Sequence, residues 1–160
     1  MTIKVGDRLP KATFTVMTAD GPAARSTDDI FKGRKVVLFS VPGAFTPTCD
    51  AKHLPGFVEK AGDIKGKGVD TIACMAVNDV FVMDAWAKDP KAGGKISFLA
   101  DGSAAFARQI GLELDLNERG MGMRTKRYSM LIDDGVVRSL NIEEGPGAEK
   151  SGAKTMLEQL

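Results

Sequence analysis

Two short apolar runs frame the first half of the chain. Lys35-Val36-Val37-Leu38-Phe39-Ser40-Val41 is continuous and rich in β-branched residues, the pattern of a strand buried on both faces, and it stops at Pro42-Gly43. Val69 to Val77 repeats the pattern and predicts a second buried strand. Between them, polar and apolar positions from Cys49 to about Lys65 recur at helical spacing. Pro47 suits the first turn of that helix, Thr46 stands where its cap belongs, and Leu54-Pro55-Gly56 predicts a kink. Asp79 is placed to cap a further helix, Val80 to about Lys88, which carries the only Trp.

The second half has a different rhythm. Ile96 to Ala100 reads as a strand, and Ser103 to Ile110 as a helix stopped by Gly111. Arg127 to Ile132 and Val136 to Ile142 are strand-like runs joined by Asp133-Asp134-Gly135, a hairpin signal, and a last short helix spans Lys154 to Gln159. Strand, helix, strand, helix, then a hairpin and a helix is the order of an α/β, thioredoxin-like fold. Residues 1 to 34, the piece around Ile96 to Ile110 and the Gly-rich stretch Leu112 to Thr125 lie outside that minimal core, as N-terminal and internal additions. With no linker long enough to divide the chain, residues 1–160 are expected to form one domain.

Composition excludes several function classes. Apolar residues at 43% and charged residues at 27% are ordinary for a globular protein. The 22 basic and 21 acidic side chains are scattered, leaving a net charge of +1 and no footprint for nucleic acid. No apolar stretch has the length of a membrane span or a secretory signal, so a cytoplasmic location is the expectation. Cys49 and Cys74 are too few for a disulfide framework, and with the single His53 they are a poor metal-ligand set, so no metal or cofactor is expected. Thiol chemistry is the question that remains.

That chemistry concentrates in Val41-Pro42-Gly43-Ala44-Phe45-Thr46-Pro47-Thr48-Cys49, where a thiol sits in the first turn of a helix after a buried strand. Unpaired N–H groups and the helix dipole favour an anion there, so Cys49 is a candidate nucleophile, although position alone is equally compatible with an inert buried cysteine. Three residues earlier stands Thr46, not a second cysteine, which excludes C-x-x-C disulfide exchange. Its hydroxyl can donate to the thiolate or to a substrate oxygen. His53 follows Cys49 by four residues on the same helix face and reads as a wall of the pocket in preference to a general base. Cys74, in the middle of an apolar strand, reads as core.

Pro42-x-x-x-Thr46-x-x-Cys49 matches the P-x-x-x-T-x-x-C motif of peroxiredoxins, and the string VPGAFTPTCDAKHLPGF resembles their type II, or "five", subfamily almost residue for residue. Val77-Asn78-Asp79, Ala100-Asp101, Gly111-Leu112 and Arg127-Tyr128-Ser129-Met130 extend the resemblance, in matching order, over nearly the whole chain. The resemblance implies a thiol peroxidase. Cys49 would be its peroxidatic cysteine, Thr46 and Arg127 would bind the hydroperoxide, and Pro42 would shield the sulfur. Gly43, Phe45 and His53 would line the substrate site. Among Arg119, Arg124, Lys126 and Arg127, a cluster that by itself reads as a solvated basic patch, only the resemblance selects Arg127. Arg124 is a second candidate, for contact with a thiol partner.

Many members of that subfamily carry a resolving cysteine near the position where this chain reads Glu149-Lys150-Ser151-Gly152. Its absence here implies a one-cysteine cycle, with glutathione as reducing co-substrate and glutaredoxin as partner, as in the plant type II members that hold only these two cysteines. The alternatives are a Cys49–Cys74 disulfide reduced by thioredoxin, and a peroxide sensor or relay that passes its oxidation to a partner protein. The resemblance also implies a homodimer, with Phe45 and the 78–83 segment as contacts.

Overall fold

The computed structural model describes residues 2–92, 94–145 and 147–160. Strands β1 (Thr13–Thr18) and β2 (Gly21–Ser26) form an antiparallel hairpin that leads into α1 (Thr27–Phe31), where Ser26 and Asp29 close a reciprocal capping box. The expected buried strands follow as β3 (Lys35–Val41) and β4 (Thr71–Ala76), with α2 (Leu54–Glu59) and α3 (Ala61–Lys65) between them. Next come α4 (Val80–Ala87), β5 (Ser97–Ala100), α5 (Ala105–Gln109) and a small hairpin of β6 (Glu113–Leu116) and β7 (Gly122–Thr125). β8 (Tyr128–Asp133), β9 (Val136–Ile142) and α6 (Ala153–Gln159) complete the described elements.

Seven strands form one sheet in the order β2-β1-β5-β4-β3-β8-β9, parallel through β5, β4 and β3 and antiparallel elsewhere. The segment around residue 96, read from sequence as lying outside the core, therefore extends the parallel sheet. Because side chains alternate across a strand, β3 feeds two cores. Val37, Phe39 and Val41 pack with Leu54, Phe57, Ile64, Met83, Trp86 and Met156 under α2, α3, α4 and α6. Val36 and Leu38 pack with Phe14, Phe31, Phe106, Tyr128 and Met130 on the side of α1 and α5. Burial on both faces is why β3 reads as an unbroken apolar run.

Three local departures have physical causes. The helix expected from Cys49 to about Lys65 is divided. It begins with Pro47, where Asp50 N donates to Thr46 O at 2.8 Å, but over Cys49–His53 it widens to a π-turn in which Leu54 N bonds Cys49 O, five residues back. Pro55 has no N–H to bond Ala51 O, and its ring crowds that carbonyl, so the wide turn takes the place of a simple kink. A further break at Lys60 (φ −99°, ψ 9°) separates α2 from α3. Helix α5 starts two residues later than expected because Ala104 adopts a left-handed φ of 60°, and the Asp101 carboxylate then accepts from Phe106 N and Ala107 N. The β8–β9 turn follows the sequence signal: Asp134 and Gly135 have φ of 49° and 80°, the two left-handed positions that glycine and a short polar residue tolerate.

Phe14 is fully buried against Phe106, with ring centroids 4.9 Å apart, on the face of the sheet away from Cys49. Phe14→Ala is expected to lower the unfolding free energy by about 3–5 kcal/mol. Urea denaturation measures that loss, and the reaction rate of Cys49 with a thiol reagent below the transition is expected to stay within about twofold.

Candidate active site

Strand β3 ends at Val41 and releases the loop that carries Pro42, Gly43, Phe45 and Thr46 into the helical turn of Cys49. Cys49 is fully buried and belongs to the core beneath α2. Arg127 immediately precedes β8 and has the parity of Ser129 and Leu131, which aims it to the same side as Phe39 and Cys49. The residue is only 7% exposed, and Nη2 donates to Cys49 Sγ at 3.0 Å. Thr46 Oγ1 lies 2.9 Å from the same sulfur and 2.7 Å from Gly43 O. A hydroxyl has one proton, so Thr46 can donate to the sulfur or to the carbonyl, but not to both at once. Among the described residues the donors that reach Sγ are these two side chains, in place of the backbone amides expected from the helix start.

Behind Arg127 runs a chain of hydrogen bonds that fixes it. Nη1 donates to His53 Nδ1 at 3.0 Å, and His53 Nε2 meets Ser151 O at 2.9 Å. A guanidinium only donates and a carbonyl only accepts, so Nδ1 must accept and Nε2 must carry the proton. The imidazole is therefore neutral. Burial, opposed by the Ser151 carbonyl and reinforced by the Arg127 charge, pushes its pKa down to about 3. Ser151 is held in turn by Glu143, whose Oε2 accepts from Ser151 N and Ser151 Oγ, each at 2.7 Å, while Oε1 accepts from Lys150 N at 3.2 Å. Glu143 N donates to Arg127 O at 2.9 Å, which returns the chain to its start.

Aromatic rings support the histidine. Phe39 and Phe57 stack with centroids 4.2 Å apart and planes 4° from parallel, and His53 presents itself near edge-on to both, at 5.0 and 5.5 Å. Cys74 lies on the same face of the sheet, fully buried and free. Burial, then the nearby Cys49, push its thiol well above the ordinary range against the smaller pull of Arg127. On the outer side, Ala44 N donates to Asn78 Oδ1 at 2.9 Å, tying the loop to the end of β4. Trp86 Nε1 donates to Asp50 Oδ1 at 3.0 Å, beside Cys49.

Cys49, Thr46, Arg127 and His53 are thus brought together, with Pro42 and Gly43 alongside through Arg124, whose Nη1 donates to Pro42 O at 3.3 Å. One expectation changes. His53, 1% exposed, is not a pocket wall: both of its nitrogens are committed to holding Arg127 and Ser151. Phe45, 46% exposed with a left-handed φ of 65°, leans on Trp86. Sequence reasoning missed the roles of Glu143, Ser151 and the Phe39–Phe57 pair, and met Asn78 only as part of the resemblance and of the 78–83 contact segment, not as the acceptor for Ala44 N. The only local signal was the unusual reading at 149–152, which was noticed for a missing cysteine and not for Ser151.

A buried cysteine held between a hydroxyl and a guanidinium on a thioredoxin-like sheet defines a thiol-based redox protein. Residues 4–157 match the Redoxin family. The chain is 45% identical to Peroxiredoxin-2B of Arabidopsis thaliana, over 99% of this chain and 98% of that one. It is 51% identical to the chloroplastic Peroxiredoxin-2E-2 of Oryza sativa subsp. japonica, over 99% of this chain and 73% of the relative. Among solved structures, reduced Prx3 from Vibrio vulnificus in complex with hydrogen peroxide superposes with a TM-score of 0.94 at 46% identity, covering 98% of each chain. The chain belongs to the peroxiredoxin family of thiol peroxidases.

His53 titrates near 6.5 when unfolded and near 3 when folded, so below pH 6.5 the unfolded state binds the proton first. The stability that depends on a neutral imidazole is whole above 6.5 and is lost as pH falls toward 3, at up to about 1.4 kcal/mol per pH unit. Gln can accept from Arg127 and donate to Ser151 O without titrating. Urea midpoints recorded from about pH 7 to about pH 4 are therefore expected to fall less steeply for His53→Gln than for the wild type.

Proposed function

We propose that this chain is a type II, or five-subfamily, peroxiredoxin that reduces hydrogen peroxide and alkyl hydroperoxides through Cys49, with glutathione, alone or with glutaredoxin, as its reductant. The observation that carries the reading is the convergence of Thr46 Oγ1 and Arg127 Nη2 on Cys49 Sγ, at 2.9 and 3.0 Å. The thiolate attacks the terminal peroxide oxygen in line, an S–O bond forms as the O–O bond breaks, and water or alcohol leaves after taking up a proton. Arg127 and Thr46 donate to the peroxide oxygens as charge moves onto them, and the single Thr46 proton can shift from Gly43 O to the reacting centre. Pro42 covers the sulfur from water. Gly43 keeps the loop tight, since a Cβ there would stand 2.9 Å from Thr46 Cγ2.

The product is a sulfenic acid, and the nearest cysteine is poorly suited to resolve it. Cys74 is fully buried, its thiol is pushed up by that burial, and residues 149–152 hold no cysteine. A small thiol then forms a mixed disulfide with Cys49 and releases water. A second thiol, or glutaredoxin, takes that disulfide and restores the thiol. The apolar side chains Phe45 and Phe81, 46% and 65% exposed, support the homodimer reading on this edge.

Cys49→Ser is expected to abolish peroxide turnover and Cys74→Ser to preserve it. One equivalent of hydrogen peroxide followed by glutathione should add one glutathione mass at Cys49, with Cys74 still alkylatable. A Cys49–Cys74 disulfide would overturn the one-cysteine cycle and favour thioredoxin, whereas oxidised protein that glutathione never reduces would favour the relay. In stopped-flow single turnover, Arg127→Gln and Thr46→Val are each expected to slow the peroxide step by about 10²–10³. Thr46→Ser, which keeps the donor, should recover most of that rate.

A further inference from the structure

A second guanidinium stands against the loop that carries Thr46 to Cys49. Arg124 Nε donates to Met121 O at 2.8 Å and Nη1 to Pro42 O at 3.3 Å, which holds the planar head against the loop. Both hydrogens of Nη2 and one of Nη1 remain without a protein acceptor among the described residues, and the side chain is half-buried. No carboxylate pairs with it among those residues. Carbonyl oxygens orient a guanidinium but leave its full charge uncompensated.

Its place relative to the sulfur is fixed through Gly43. A Cβ at Gly43 would meet Thr46 Cγ2 at 2.9 Å, Arg124 Nη1 at 3.0 Å and Met121 Cε at 3.5 Å. Arg124 and the threonine that touches Cys49 therefore face each other across one small span of loop, with Met121 as an apolar neighbour. Arg127 is the less accessible of the two to a carboxylate, because it is buried and already held by its contacts with His53 and Cys49. An ordinary surface arginine is mobile and contributes little; one already held by two carbonyls loses less freedom on meeting a ligand.

We propose that Arg124 forms a carboxylate-binding subsite beside the Cys49 site and selects anionic co-substrates. The carboxylate can come from a hydroperoxide with an acid group or from the reducing thiol. The inference rests on the reading of Cys49 as the reacting thiol, and two matched pairs of probes separate the sources. The peroxide pair is a long-chain fatty acid hydroperoxide and its methyl ester, followed as single-turnover oxidation of Cys49. The thiol pair is 3-mercaptopropionate and its methyl ester, followed as consumption of preformed Cys49 sulfenic acid. Each is measured for the wild type, for Arg124→Gln, and for Arg138→Gln, which removes the same charge from an exposed position on β9.

In Arg124→Gln the acid-to-ester rate ratio is expected to fall about tenfold in at least one pair, the loss of one charge-assisted contact, and the pair affected names the source. Arg138→Gln should leave both ratios where they are. Unchanged ratios in Arg124→Gln, or an equal fall in Arg138→Gln, would overturn the subsite. Wild-type protein whose Cys49 is oxidised by neither acid nor ester would instead refute the reading beneath it, a result no ratio can imitate. Coincident melting curves for the three proteins confirm that rates are compared between folded molecules.

Discussion

The structure depends on a buried positive charge. Arg127 is almost wholly removed from water, and among the described residues it has no carboxylate beside it; its side-chain hydrogen bonds go to a neutral imidazole and to sulfur. An uncompensated buried charge costs several kcal/mol even after relaxation. The one group in contact that can supply the counter-charge is Cys49, as thiolate. The guanidinium and the sulfur are held face to face, and the surrounding architecture keeps them in register.

Period-two alternation does the first part of that work. Phe39 on β3, Cys74 on β4 and Leu131 on β8 all fall on one face, and Arg127, two positions before Ser129, falls there too. The second part falls to the C-terminal region. Glu143 continues the β8–β9 pairing opposite Arg127 and uses its carboxylate to hold Lys150 and Ser151. Ser151 then supplies the carbonyl that requires a proton on His53 Nε2 and leaves Nδ1 free to accept. The Glu143 carboxylate is spent instead on Lys150 and Ser151, and reaches the sulfur only through Ser151, His53 and Arg127.

What the sequence revealed follows from the range of each interaction. Cys49 and Thr46 were legible because three residues of spacing on a helix start fix their relation locally, and β3 was legible because burial on two faces writes itself as an unbroken apolar run. Arg127 lies 78 residues from Cys49; nothing local separates it from Arg119, Arg124 and Lys126, and only family resemblance singled it out. Glu143 and Ser151 left no local pattern at all, because their role exists only once β9 and α6 have closed. His53 was placed correctly on its helix face and given the wrong task, since its partners arrive from two distant segments. The widened turn and the left-handed Ala104 escaped because each arises from a backbone conflict within one turn that hydropathy does not record.

The widened turn at Cys49–His53 has a consequence for insertions and deletions. A π-turn holds one residue more than the α-helical path would, so this stretch behaves as a one-residue insertion retained within a helix. Removing one residue between Cys49 and Leu54 would make the Leu54 N–Cys49 O bond an ordinary α-helical one, while Pro55 would still crowd the carbonyl four residues before it. With that bond kept, Cys49 and Phe57 would hold their relative phase, and the residues inside the turn, His53 among them, would change their spacing from the sulfur. The length of the turn therefore sets where His53 stands relative to the sulfur, in addition to what the side chains themselves do.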